Sequence, residues 1–447
     1  MTEDEQIMHS ALRRARDTRK LIVAAGARRL VPEVFAELFG DAACLIVADE
    51  NTFAAAGRDV YDALRASGRT CREPLVMEAQ GLYAEYGYVT RIQSALADHA
   101  AIPVAVGSGS INDLTKLASH LSGRQYLSVA TAASMDGYTA FGASITFEGS
   151  KQTFDCPAPL GVVADLEVIA AAPEGLNASG YADLVTKVPA GLDWLLADSL
   201  GIDAVDPDIW TMVQSRLDVW MSDADGVRRR DLEVTRRLIT ALMITGFAMQ
   251  AACSSRPVSG AEHQFSHLWD MEHHTYRGVA PSHGFKVGIG SLCSLGLYEA
   301  ILSRNFEQLD VEAAVAAWPT AERNEAEINE LFETPELRGK AVLESSTKYT
   351  DHDGLRAQLT RLKRDWPRIR ERLAERMVSQ AALRDMLAAA GCPVKAADIG
   401  ISPERLRVSF RRAYHIRRRF TIFDFVRRTN LWNECVEQAL RGEASPL

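Results

Sequence analysis

Short apolar runs alternate with amphipathic stretches over the first third of the chain, and helical spacing governs the remainder. "ACLIVADE" (43–50) reads as a buried strand, and "TFAAAGRDVYDALRAS" (52–67) follows it with helical spacing. "AIPVAVG" (101–107), "INDLTKLASHLS" (111–122) and "YLSVATA" (126–132) repeat the order strand, helix, strand. Such alternation predicts a mostly parallel sheet covered by helices. "ASITFEGSKQTFDC" (143–156) holds two short runs around "EGSK" and predicts a hairpin attached to the sheet. "GVVADLEVI" (161–169) reads as the last buried strand. From about Asn177 onward apolar residues recur at helical spacing, for example through "DLEVTRRLITALMITGFAMQAAC" and "LRAQLTRLKRDWPRIRERLAERM". The expectation is an α/β N-terminal domain over residues 1–173 and an all-α C-terminal domain over 174–447, with the boundary near Pro173. At 447 residues the chain is long enough for two cores.

The net charge of −9 argues against an extended nucleic-acid surface. "LITALMITGFAMQAACSS" is the longest uncharged stretch, but it carries Thr240, Thr245 and Gln250, which fits a buried helix better than a membrane span. Seven scattered cysteines, never spaced as CxxC, fit free thiols in a reducing compartment. The N-terminal stretch is charged throughout and lacks the apolar core of a secretory signal, so a cytoplasmic protein is expected.

Candidate chemistry gathers first at strand ends. In "VAVGSGSIND", Gly107 and Gly109 permit a tight turn and close backbone approach to a ligand. Ser110 and Asp113 have the S-x-x-D spacing of a capping box, which would open the helix there. The free N–H groups and positive dipole of such a start suit a pyrophosphate, although a plain Gly-Ser turn has the same appearance. In "VATAASMDGYTA", Thr131, Ser134 and Asp136 follow a strand, where open α/β sheets bind ligands; a turn capped by Ser and Asp is the plainer alternative. Asp49, ending "CLIVAD", is a weaker nucleotide candidate.

"EHQFSHLWDMEHHTYRGVAPSHGFKVG" then places five of the ten histidines within 21 residues: His263, His267, His273, His274 and His283. His263 and His267 have i, i+4 spacing, but Gln264 stands where an HExxH zinc motif has glutamate. His273 and His274 adjoin, so at least one faces solvent. Spacing alone selects no pair, and a metal would need a third ligand from elsewhere.

Six blocks in order, "GSGSIND", "TAASMDGYTA", "GVVADLEVI", "GYADLVTK", "SRPVSGAEHQFSH" and "PSHGFKVGIG", resemble the sn-glycerol-1-phosphate dehydrogenase family. Its AraM-type bacterial branch is the nearest in pattern, and the family lies in the iron-containing alcohol dehydrogenase and dehydroquinate synthase-like superfamily. The resemblance implies an N-terminal dinucleotide-binding domain and a helical metal- and substrate-binding domain. It implies metal ligands at Asp183, His267 and His283, with His263 as a supporting or structural residue. It implies cofactor contacts at Gly107, Ser108, Gly109, Ser110, Ile111, Asn112 and Asp113, at Thr131, Ala132, Ala133 and Ser134, and at the weaker Asp49. Asp136 matches a substrate-contacting carboxylate.

Three departures bear on the substrate. Ala140 replaces a serine of the archaeal members, Met271 replaces a histidine, and "HGFK" replaces "HGEQ", which puts Phe285 and Lys286 beside a ligand. The implied activity is NAD- or NADP-linked interconversion of dihydroxyacetone phosphate and sn-glycerol 1-phosphate, with one divalent metal. Zinc, nickel and iron(II) fit the ligand types equally. Asp49 weakly favours NAD. Lys187, four residues beyond Asp183 on what reads as one helix, is the first candidate for the substrate phosphate, with Lys286 and Arg256 behind it. Dehydrogenation of another polyol or polyol phosphate is the alternative, and a dehydroquinate synthase-like lyase a more distant one. A homodimer or larger homo-oligomer is implied, with neither nucleic acid nor membrane as partner.

Overall fold

Eight strands form among the described residues, which are 3–148 and 150–444 of the computed structural model. They are β1 (Lys20–Ala24), β2 (Cys44–Asp49), β3 (Leu75–Met77), β4 (Ile102–Gly107), β5 (Leu127–Ala130), β6 (Ala143–Phe147), β7 (Ser150–Phe154) and β8 (Gly161–Asp165). Six pair in parallel in the order β1-β8-β5-β4-β2-β3. The continuous apolar character of β2 follows from helices on both faces. Cys44, Ile46 and Ala48 enter one buried cluster, and Leu45 and Val47 enter another on the opposite face.

Two compact units are present. The first comprises Met1–Leu184, Thr211–Ser255 and Ala389–Gly391, and the second Val185–Trp210, Arg256–Ala388 and Cys392–Leu447. The sheet lies in the first, and the second is helical. The first unit also takes helices from beyond Pro173, Glu174–Val185 nearly in full and Leu232–Ala252.

Some local expectations change. The helix after β4 runs from Gly109 to Leu121 with Ser108, not Ser110, at its N-cap. The Asp113 carboxylate is unavailable for a capping box, because it accepts from Ser144 N–H at 3.1 Å and faces Lys116 at 3.5 Å. The β6–β7 hairpin is a separate antiparallel two-stranded sheet, not an extension of the main one, and Gly149 of its turn lies outside the described residues. β1 and β3 escaped the sequence pattern: β1 is mostly half-buried and β3 has three residues. The apolar stretch of 238–255 falls in the buried Leu232–Ala252 helix. One helix among the described residues, His283–Leu302, has the length and apolarity to cross a membrane, but 83% of that window is buried in the protein.

In the second unit Asp193 ties four elements. Its carboxylate accepts from Ala261 N–H at 2.7 Å, Tyr298 O–H at 2.6 Å and Ile422 N–H at 2.7 Å. Those donors belong to, or immediately open, the helices Ala261–Met271, His283–Leu302 and Ile422–Arg428, while Asp193 itself is in Lys187–Ser199. Elsewhere in this unit His415 is fully buried, with Nδ1 2.9 Å from Ser345 Oγ and Nε2 4.0 Å from Glu327.

Burial holds the His415 imidazole down at about 4, against an ordinary value of 6.5, despite the pull of Glu327; Arg427 and Lys348 add to the depression. Native His415 therefore stays neutral where the unfolded chain takes up a proton. Stability from this group is present above pH 6.5 and is lost as pH falls from 6.5 towards 4. The thermal midpoint is expected to fall between about pH 7 and about pH 5, and to fall less in His415→Asn. Identical slopes for the two proteins would show that His415 does not carry the effect.

Candidate active site

Parallel pairing aligns the carboxyl ends of neighbouring strands, and β2, β4 and β5 are neighbours. Asp49, the Gly107–Gly109 turn and Thr131 therefore share one edge of the sheet. The two central turns touch directly, since Thr131 N–H donates to Gly107 O at 3.2 Å. At Gly107 a Cβ would come within 2.5 Å of Ile111 Cβ, so glycine is required for the tight turn. The Ser108 side chain makes no capping bond, and the first helical turn holds no acidic residue. The positive helix end thus remains available to an anion.

Two residues of the glycine run are engaged within the protein. Ile111 packs beneath Gly107. Asn112 Oδ1 accepts from Tyr126 O–H at 3.1 Å, and its backbone N–H donates to Ser108 O at 3.0 Å. Asp49 Oδ1 caps the turn that follows β2, accepting from Thr52 N–H at 2.9 Å.

The loop after β5 is held by one helix, Glu174–Val185. Asn177 Oδ1 accepts from Ala133 N–H at 2.9 Å, and Ser179 Oγ donates to Ser134 O at 3.3 Å. Asp183 Oδ2 accepts from Asp136 N–H at 3.0 Å. Gly180 lies so close that a Cβ there would be 1.7 Å from Ala133 O. From the other side Lys116, fully buried, donates to Gly137 O, Ala140 O and Gly142 O at 2.9–3.0 Å. Thr131, Ser134 and Asp136 are each at least nine-tenths buried, and Ala132 and Ala133 are fully so. Sequence reasoning missed Asn177 and Lys116. The alternation of Asn177 and Gly180 on one helical face was the available signal for the first.

The second unit assembles the histidines. His263 and His267 lie one turn apart on Ala261–Met271, with ring centroids 6.2 Å apart. His283 opens His283–Leu302, capped by Ser282. The ring beside it is that of His263, at 5.2 Å between centroids, and each of the two offers a ring nitrogen within 4.8 Å of the other. Ser266 Oγ is 3.4 Å from His283 Nδ1. Glu262 Oε1 lies 2.8 Å from His263 Nδ1 and accepts from Gly260 N–H at 2.5 Å, which fixes the imidazole. Burial pushes the Glu262 and Asp193 carboxyls upward, and Glu262 adds to the rise at Asp193. A glutamate directly before a histidine was the unread signal.

The remaining histidines separate cleanly. His273 is exposed. His274 is structural, with Nε2 at 2.6 Å from Ile399 O and Nδ1 at 2.6 Å from Arg405. Lys187 is not on the helix of Asp183. A turn at Thr186 separates them, and Lys187 opens Lys187–Ser199 fully buried, donating to Thr186 Oγ1 at 3.3 Å. Lys286 is paired with Asp270. Arg256 spans Phe420 O at 2.9 Å, Asp193 O at 3.1 Å and Asp203 at 3.0 Å. Ala140 and Met271 are buried.

Comparison with known proteins bears on the family and the fold. Residues 22–173 match the family model described as iron-containing alcohol dehydrogenase. A glycerol-1-phosphate dehydrogenase acting with NAD(P)+ from Halalkalibacterium halodurans is 34% identical over 60% of this chain and 68% of its own. One of the same name from Geobacillus stearothermophilus is 29% identical over 85% of each chain. Among solved structures, a probable glycerol dehydrogenase of Sinorhizobium meliloti 1021 superposes with a TM-score of 0.59 over 94% of this chain and 97% of that one, at 17% identity. That superposition bears on the fold.

Gly180→Ala tests the docking of the β5 loop. A methyl group 1.7 Å from a carbonyl oxygen forces the backbones apart. The expected cost is on the order of 3 kcal/mol, or roughly 6–12 °C in the melting midpoint. An unchanged midpoint would refute the close approach.

Proposed function

The chain belongs to the iron-containing alcohol dehydrogenase family, and from that premise we propose that it is an NAD(P)-linked, metal-dependent reductase interconverting dihydroxyacetone phosphate and sn-glycerol 1-phosphate. The observation that carries this reading is the pair His263 and His283, with the first imidazole oriented by Glu262. We assign the divalent metal to His263 and His283, with Asp183 as the third ligand that the family resemblance implies. His267, expected from the family resemblance, stays in the proposal as the next imidazole along the helix.

The donor set fits the group. One carboxylate and two imidazoles leave positions open for substrate, as a catalytic site requires. A ligand histidine whose second nitrogen meets a carboxylate is the usual supporting arrangement. When bound, the metal supplies Lewis acidity at the substrate oxygen, and the nicotinamide supplies or takes the hydride.

The protein's own residues do the rest. The amides of the Gly109 helix start receive the cofactor pyrophosphate, beside the Thr131–Ser134 loop. Asp136 orients a substrate hydroxyl, its backbone set by Asp183. Lys187, with its buried charge near Glu262, remains our assignment for the substrate phosphate. The commitments of Lys286 to Asp270 and of Arg256 to Asp203 speak against those two. Buried Ala140 and Met271 favour a second reading, in which another polyol or polyol phosphate is the substrate.

Protein stripped of metal and reloaded with Zn²⁺, Ni²⁺ or Fe²⁺ is expected to oxidise NADH in the presence of dihydroxyacetone phosphate only when loaded. No turnover by folded, loaded protein would reject that substrate and direct attention to a polyol panel. Glu262→Gln is expected to weaken metal affinity by about 10–100-fold. His263→Ala is expected to abolish stoichiometric metal binding; if His267→Ala does so instead, the ligand assignment moves to His267.

A further inference from the structure

The sulfurs of Cys44 and Cys71 lie 3.3 Å apart in the first unit, and both are free thiols. Their backbones form a single parallel bridge, in which Cys44 N–H donates to Thr70 O at 3.0 Å and Arg72 N–H donates to Cys44 O at 2.8 Å. Residues bridged in this way present their side chains to the same face, with backbones about 4.8 Å apart. That spacing falls inside the Cα separation a disulfide needs, about 4.4–6.8 Å. Rotation of the two side chains therefore closes the contact to a bond without moving the chain.

The pair is asymmetric. Cys44 is fully buried, and burial pushes its thiol well up. Cys71 is partly exposed, in the segment leading to the edge strand β3. The Arg69 guanidinium offsets only a small part of the rise at Cys44.

We propose that Cys44 and Cys71 form a reversible intrachain disulfide, with a small-molecule disulfide as oxidant. Cys71, as thiolate, attacks one sulfur of the oxidant, whose other half leaves as a thiolate. Cys44 then attacks Cys71 Sγ, and the second half leaves. Two protein thiols are oxidised, the oxidant is reduced to two thiols, and the two protein protons pass to them. The bond staples β2 to the sheet edge and closes the loop 45–70, removing freedom from the unfolded chain. It forms at the amino end of β2, whereas Asp49 lies at the carboxyl end, so activity is expected to be unchanged.

The test uses the full chain carrying Cys253→Ser, which removes an exposed thiol, treated with oxidised glutathione. Intact mass is expected to fall by two hydrogens. Peptide mapping should join the Cys44 and Cys71 peptides, dithiothreitol should reverse the link, and the melting midpoint should rise by several degrees. In the same background, Cys44→Ser should stop at a glutathione adduct on Cys71, and Cys71→Ser should give no crosslink. A persistent adduct on Cys71 in the parent, or no modification at either cysteine, would overturn the proposal.

Discussion

The Asp193 carboxylate accepts one hydroxyl and two backbone N–H groups from three other elements of the helical unit, and its burial is complete. A carboxyl group in that environment is costly unless its oxygens are occupied, and leaving a buried polar group without its partner typically costs about 1–3 kcal/mol, more for a charged one. The same demand makes Asp193 a fixed point. Ala261 begins the helix that carries Glu262, His263 and His267, and Tyr298 lies on the helix that His283 opens. The spacing of the imidazoles is therefore set from behind, by a group with no part in the chemistry. Gly260 belongs to the same constraint, because a Cβ there would stand 2.4 Å from Asp193 Oδ2 and 2.8 Å from Glu262 Oε2.

The first unit solves a different problem with backbone atoms. In the proposed function its turn at Gly107 and its loop at 131–136 would offer a ligand main-chain groups and short side chains, which have no geometry of their own to hold. Rigidity is supplied by neighbours: Lys116 binds three carbonyls on one side, and Asn177, Ser179, Gly180 and Asp183 engage the loop on the other. A buried ammonium satisfied by three carbonyls fixes a loop more firmly than an exposed ion pair, which is worth little. Asp183 accepts the Asp136 amide within this unit. In the proposed function it also binds metal, so orientation of the substrate and charge at the metal would share one carboxylate.

The sequence by itself determined the class of fold, since strand and helix periods are local properties written in side-chain polarity. β2, β4, β5 and β8 lie where their apolar runs are, and the helical remainder follows from spacing in the same way. The motif blocks likewise led to the family and to the glycine turn. What tertiary structure decided was every choice between equivalent candidates. Asp113 reads as half of a capping box until Ser144 and Lys116 claim it. Lys187 reads as sharing a helix with Asp183 until a turn at Thr186 divides them. Among five histidines, only the packing of two helices sets His263 beside His283, sends His274 to Ile399 and Arg405, and leaves His273 in solvent. Such choices depend on residues far apart in the chain whose pairing no local period encodes, and on the requirement that each buried polar group find a partner.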